Sequence, residues 1–243
     1  GLTTVANPVD PQVLQHLLPQ KIKTEERHHA MLAVEDIPDF MKDLRQHPSI
    51  SARCLEFAIL TAVRSGNARE AEWGEINWDK KVWIIPAKKM KVPSNGDHVV
   101  PLSTQVLELL KSIEGVNESK YIFLSPATSS ALSDTSLKSV IEKMHIESLL
   151  NGGKGYFDPK QVKKSGNRCI ATPHGLARAS FRTWAQDDEL GNDRRFSERT
   201  AELCLNHKAS DSYKGAYERN EAMKSRIEMM QAWSDYCFSE RKK

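Results

Sequence analysis

The stretch LNHKASDSYKGAYER, Leu205 to Arg219, carries a histidine and two tyrosines, Tyr213 and Tyr217, in polar surroundings. A phenol with a pKa of about 10 is protonated at neutral pH. It attacks as a nucleophile only beside groups that take its proton and stabilise the charge that builds up. Otherwise such a ring anchors a core or an interface and leaves its hydroxyl at the wet edge. The choice depends on what else the chain supplies. Three other places carry suitable side chains: Arg64 in TAVRSGNAREAEW, Lys91 in KMKVPSNGDHVVPLS, and His174 with Arg178 in PHGLARASFRTWA. Taken singly, each has an ordinary alternative, as a helix-end arginine satisfying carbonyls, a turn-flanking lysine or a helix-start histidine.

The elements that must position these groups read as mostly helical. MLAVEDIPDFMKDL has helical spacing, and SARCLEFAILTAVRSGNAREAEW reads as two helices broken near Ser65-Gly66. INWDKKVWIIPA then shifts to the short aromatic and β-branched pattern of a strand. Asn95-Gly96 marks a turn between strands, so a small antiparallel sheet is expected after the first helices. Helices resume at STQVLELLKSIEG, with Ser103 or Thr104 as N-cap, and at SDTSLKSVIEKMHIESLL. NGGKGYFDPKQVKKSGNRCIATP reads as a long polar loop, either disordered or functional. The five tryptophans, Trp73, Trp78, Trp83, Trp184 and Trp233, read as core or interface anchors.

Composition bounds the function classes. A chain of 243 residues, 39% apolar and 28% charged, fits a globular protein with one sizeable core, and no apolar run approaches the roughly 20 residues of a membrane span. The four cysteines, Cys54, Cys169, Cys204 and Cys237, are scattered, which argues against a zinc motif or disulfide framework and for a reducing cytoplasm. The net charge of +3 is too balanced to decide nucleic-acid binding, but basic residues cluster at Lys88-Lys89-Lys91 and at Lys160-Lys163-Lys164-Arg168. Residues 1 to 30, proline-bearing and polar, read as a linker. The start at Gly1 without a methionine creates the expectation that a further region precedes it.

In their order along the chain, these motifs resemble the tyrosine recombinases, or phage integrases, most closely those of satellite phages and genomic islands. The resemblance runs from about residue 30 to 230. It implies a mostly helical α+β catalytic domain with a small antiparallel β-sheet over residues 31–243. Residues 1–30 would then link it to a missing N-terminal DNA-binding region. Arg64 takes the place of the family's first arginine, Lys91 that of the hairpin lysine, and His174 and Arg178 those of the His-x-x-Arg box. His207 takes that of the later histidine and Tyr217 that of the nucleophile, with Tyr213 a bystander. The implied activity is site-specific cleavage and rejoining of attachment-site DNA through a 3′-phosphotyrosine, integrating or excising a mobile element. No cofactor and no metal are implied. The implied partners are duplex DNA, three further copies in a tetramer, an excisionase and a host DNA-bending protein, in the bacterial cytoplasm at the nucleoid. Lys88, Lys89, Lys163, Lys164 and Arg168 are expected on phosphate. Alternatives are a type IB topoisomerase, which relaxes supercoils by the same chemistry, and a non-catalytic DNA-binding regulator.

The chemistry supports that assignment of types. Moving a phosphodiester onto a protein oxygen requires charge stabilisation on two non-bridging oxygens and a proton for the departing 5′ oxygen. Guanidinium forks suit the first task, and a lysine, whose proton can be released, suits the second. His174 is the expected base or proton relay and His207 a donor to phosphate. Two features depart from the family pattern. HGLAR places the arginine four residues after the histidine, as though Ala177 were inserted, which leaves Arg182 as an alternative clamp. Asn67 stands where the family often has a glutamate orienting the first arginine, with Glu70 or Glu72 as compensating carboxylates. The C-terminal KSRIEMMQAWSDYCFSERKK either packs on a neighbouring protomer or closes its own core.

Overall fold

Helix α1 (Ile37–Gln46) follows a short 3-10 turn and leads to α2 (Ile50–Thr61), which Ser49 caps by accepting the Ala52 amide at 3.2 Å. Along α2 the residues from Cys54 to Thr61 are all buried, so this helix is the axis of the core and is surrounded by others. The computed structural model describes residues 29–115, 118–207 and 216–240, the side chains at 95 and 216–221 excepted. Around α2 pack α1, α4 (Thr104–Ile113), α5 (Ser136–Leu150) and α9 (Ala216–Cys237). Ser103 caps α4 as expected, accepting from Val106 N at 3.4 Å.

Between α3 (Ser65–Arg69) and α4 lies the expected antiparallel sheet, in the order β1 (Ile76–Asn77), β2 (Val82–Ile85), β3 (His98–Pro101). Trp83 pairs with Ile76 and Val100 and turns its fully buried ring onto Phe57 of α2, 5.0 Å between centroids. The polar stretch after α5, read as a loop, is a second hairpin of β4 (Phe157–Val162) and β5 (Arg168–Ile170), closed at Gly166 with φ 83°. Its strand pattern is hidden because Asp158 points inward. That carboxylate is buried and accepts from the amides of Met31, Lys160 and Gln161, each at 2.8 Å, so alternation of polar and apolar residues fails where it would be looked for. After it come a π-helical turn (Gly175–Ala179), α6 (Ser180–Ala185), α7 (Asn192–Arg195) and α8 (Glu198–Cys204).

Helix α9 closes the chain's own core. Met229, Met230, Trp233 and Cys237 are buried on it, Trp233 donates to the Ile59 carbonyl at 2.8 Å, and its ring packs against Phe181 and Trp184. Arg226, on the same helix, donates to the Val99 carbonyl and so joins α9 to β3.

The entering chain crosses the start of the π turn at very close range. Ala30 O accepts from Thr172 N at 2.9 Å, and Thr172 Oγ1 accepts from Gly175 N at 3.0 Å. A Cβ at position 175 would lie 1.8 Å from Ala30 O, inside covalent-contact range. Gly175→Ala is therefore expected to destabilise the fold by about 3 kcal/mol or more in urea unfolding. Gly74→Ala, where nothing lies within 4 Å, should stay within about 0.5 kcal/mol of the parent. Equal midpoints for the two variants would contradict the contact.

Candidate active site

Three separate segments bring charged groups to one place. The first is the break between α2 and α3. Ala62 takes a left-handed conformation, φ 53°, which ends α2, and Arg64 follows in extended conformation as the N-cap residue of α3, its carbonyl accepting from Ala68 N at 3.1 Å. The break lies just before the expected Ser65-Gly66.

The second is the π turn. His174 immediately precedes it and Arg178 lies within it, and its defining bond runs from Ser180 N to Gly175 O, five residues back. A π turn admits one residue more than an α turn before the helix resumes. The four-residue spacing in HGLAR is thus absorbed locally, and Arg178 is directed to the same place as Arg64. Arg182 is not. It pairs with Glu198 and Glu202, each at 2.5 Å, on the neighbouring helix.

The third is the end of α8. Asn206, φ 51°, follows the last turn, with Asn206 N bonded to Leu203 O at 3.2 Å and His207 N to Glu202 O at 2.9 Å. This paired 5→2 and 6→1 closure fixes the backbone of His207 without a glycine. Its Nδ1 faces Glu202 at 2.5 Å and its Nε2 faces Arg178 Nη2 at 2.7 Å.

Arg178 joins the three. Its guanidinium is 5% exposed and donates to Ala62 O at 3.1 Å and to Leu205 O at 2.9 Å, besides meeting His207. These contacts leave two of the five N–H groups of a guanidinium for a ligand. Among the described residues, no carboxylate forms an ion pair with Arg64 or Arg178. Burial, and after it the like charge of Arg64, pushes Arg178 down to about 9 against the pull of Glu202, so it stays charged at neutral pH. Burial also lowers Arg64. His174 is pushed down to about 4 by burial first, then by His29, Arg178, Arg64 and His207, and is therefore a neutral imidazole able to accept a proton.

Two histidines absent from the sequence reading belong here. His29 packs against His174 with ring centroids 4.1 Å apart and planes tilted by 40°, a contact that no local pattern at the end of a polar run discloses. His98 is buried at the start of β3 and pushed down to about 3 by burial, then by Arg226, Arg178 and Arg64. Its inward alternation with buried Val100 was the available sign.

The expected lysines and Arg168 form no hydrogen bond or ion pair with these groups among the described residues. Lys91 and Lys88 are exposed on the connection between β2 and β3. Lys89 is not available for phosphate, because its ammonium is 2.9 Å from Glu72 and 2.5 Å from Glu75. Lys163, Lys164 and Arg168 are exposed at the tip of the β4–β5 hairpin. Asn67 does not reach Arg64 through any hydrogen bond; it donates to Lys89 O at 3.0 Å. Tyr217 falls in the first turn of α9, but its side chain, like the whole of Tyr213, lies outside the described residues.

Two pH effects follow from the buried rings. In nuclear magnetic resonance titration of the DNA-free protein, His174 is expected to titrate near pH 4, and His29→Ala should raise that midpoint. A midpoint near 6.5 in the parent would contradict its surroundings. For His98, the unfolded state binds the proton from pH 6.5 downward while the folded state refuses it until about 3. Its contribution to stability is complete above 6.5 and is lost as pH falls through that window, at up to about 1.4 kcal/mol per pH unit. His98→Gln should flatten the dependence of unfolding free energy on pH between 6.5 and 4.

Known proteins share this chain's sequence pattern and fold over most of its length. The chain is 28% identical over 236 residues to the integrase of Enterobacteria phage P4, covering 90% of this chain and 48% of that one. It is 28% identical over 218 residues to the prophage integrase IntA of Escherichia coli, covering 88% and 45%. The chain therefore spans about half the length of these curated relatives. Its fold is shared with a Tn1549 transposon integrase (TM-score 0.57, 9% identity, 87% of this chain and 69% of that one). It is also shared with XerA recombinase (TM-score 0.51, 14% identity, 86% and 66%). The model of the phage integrase family matches residues 30–176, more than half of the sequence, and to that family this chain belongs.

Proposed function

We propose that the chain is the catalytic part of a site-specific DNA recombinase that cleaves and rejoins attachment-site DNA through a 3′-phosphotyrosine, integrating or excising a mobile element. One observation carries the reading beyond family membership. Arg64 lies close enough to the buried Arg178 to lower it by like charge, neither forms an ion pair with a carboxylate among the described residues, and both cations act on His174 and His98, which are held neutral. Two neighbouring guanidinium groups without a carboxylate partner favour an anion with several oxygens, as a phosphodiester offers.

In the reaction so assigned, the Tyr217 oxygen attacks phosphorus and its proton passes to neutral His174. Arg64 and Arg178 donate to the non-bridging oxygens as their charge grows, and His207 donates to them once its Nε2 carries a proton and has left Arg178. Lys91 gives a proton to the departing 5′ oxygen as its bond to phosphorus breaks. The phosphotyrosine keeps the energy of the broken bond, so a 5′-hydroxyl from another strand reverses the step without ATP. The positive charge that Mg²⁺ supplies to other phosphoryl transfers comes here from side chains. Lys88, Lys163, Lys164 and Arg168 suit contacts to the DNA backbone, which give affinity, salt dependence and no sequence information. The assembly proposed is a tetramer on duplex attachment sites, assisted by an excisionase and a host DNA-bending protein, in the bacterial cytoplasm at the nucleoid.

A nicked suicide duplex bearing the attachment site, incubated with full-length protein and a metal chelator, tests this reading on a denaturing gel. The parent and Tyr213→Phe should yield protein-linked DNA, and Tyr217→Phe none. Arg178→Ala should slow adduct formation by about 10²-fold or more. An adduct lost only with Tyr213→Phe would move the nucleophile. Supercoil relaxation without a second site would favour a type IB topoisomerase, and salt-sensitive binding with no adduct from the parent would favour a regulator.

A further inference from the structure

Lys91 is exposed on the connection 86–97, and a lysine there is a poor proton donor unless something fixes where its backbone runs. The chain just before it is held unusually firmly. Ala87 N donates to Asp97 Oδ1 at 2.8 Å, which closes the base of the connection. Lys89 Nζ reaches Glu72 at 2.9 Å, Glu75 at 2.5 Å and the Glu70 carbonyl at 2.8 Å, and Lys89 O accepts from buried Asn67 at 3.0 Å. Met90, next in line, is buried.

The receiving carboxylates are themselves preset. Glu75 Oε2 accepts from Glu72 N at 3.2 Å and from Trp83 Nε1 at 3.0 Å, and the two glutamates form a reciprocal capping box on the turn Trp73–Glu75. Lys89 is thus clamped by side chain and by backbone, and it lies two residues from Lys91. Two residues of chain extend at most about 7 Å, so the anchor confines Lys91 to a small region. The same short helix that presents Arg64 at its start supplies Asn67 three residues later, which ties the first arginine and the lysine connection to one rigid element. A glutamate at 67 has no N–H to give to the Lys89 carbonyl at neutral pH, whereas the asparagine amide does.

We propose that Lys89, through Glu72, Glu75 and Asn67, is a positioning residue that holds Lys91 where it protonates the leaving 5′ oxygen. This rests on the reading of Lys91 as the general acid. The role differs from phosphate binding, for which Lys89 is spent, and from simple support of the fold, because it bears on one proton transfer.

The test compares two nicked suicide duplexes, one with an ordinary scissile phosphodiester and one with sulfur replacing the bridging 5′ oxygen. A thiolate departs without a proton, so a defect confined to the general acid is relieved on the sulfur substrate, whereas a damaged fold or clamp slows both. Single-turnover cleavage by the full-length protein gives a sulfur-to-oxygen rate ratio independent of how much of a preparation is folded. Lys91→Ala should be slowed about 10²-fold or more on oxygen and raise the ratio about as much. Lys89→Met should be slowed about tenfold or more on oxygen and raise the ratio in the same direction, while Lys89→Arg, which keeps the ion pairs, should keep the parental ratio. Should Lys89→Met yield no folded protein, Glu72→Gln is read in its place and should also raise the ratio. A parental ratio in Lys89→Met, at whatever rate, overturns the proposal. A parental ratio in Lys91→Ala overturns the reading of Lys91 and the proposal with it.

Discussion

The guanidinium of Arg178 is the constraint on which the site depends. It is nearly inaccessible to solvent, yet what it meets is two main-chain carbonyls and a histidine rather than a carboxylate. Burying a cation in this way is costly unless its donors are satisfied, and each carbonyl that satisfies it belongs to a segment far away in sequence. Ala62 O marks the left-handed end of α2, and Leu205 O the end of α8. The same interactions that make the cation tolerable therefore place Arg64 and His207 beside it. Neutralising the guanidinium with an internal acid would have met the same need and left nothing to attract an anion.

The histidines complete that balance. Two neighbouring arginines resist further positive charge: His174 is depressed by burial first, then by His29 and those two cations, and His98 by burial first, then by Arg226 and the same two. His174 is thereby held neutral, and an anion beside it would offset part of that field and raise its affinity for a proton. His98 is buried at the start of β3 within reach of the charges of Arg226, Arg178 and Arg64. Glu202, the acid whose charge reaches Arg178, pairs with His207 and Arg182, and Glu72 and Glu75 pair with Lys89.

The helices and the three-stranded sheet were legible because their signals are local: an apolar run for α2, an N-cap serine before α4, a β-branched and aromatic run around Trp83. The second hairpin was not, because its inward Asp158 is paid for by three amide donors, one of them from Met31, which is remote in sequence. Among candidate site residues, Arg64, His174, Arg178 and His207 were singled out by type, order and resemblance, and the structure places them near one another. Lys89 was read as one of a basic cluster, and its two carboxylate partners come from the turn beyond α3, where charge counting along the chain does not look. His29 was missed for the same reason, its partner being His174.

The π turn shows what a sequence pattern in this family measures. One added residue widens a single turn, and α6, which follows it, still buries Phe181 and Trp184 in the core. What is held constant is a point in space, and the number of residues used to reach it can vary by one. A search that demands fixed spacing would discard chains like this one, while a search that allows a one-residue slip at the start of that helix would retain them.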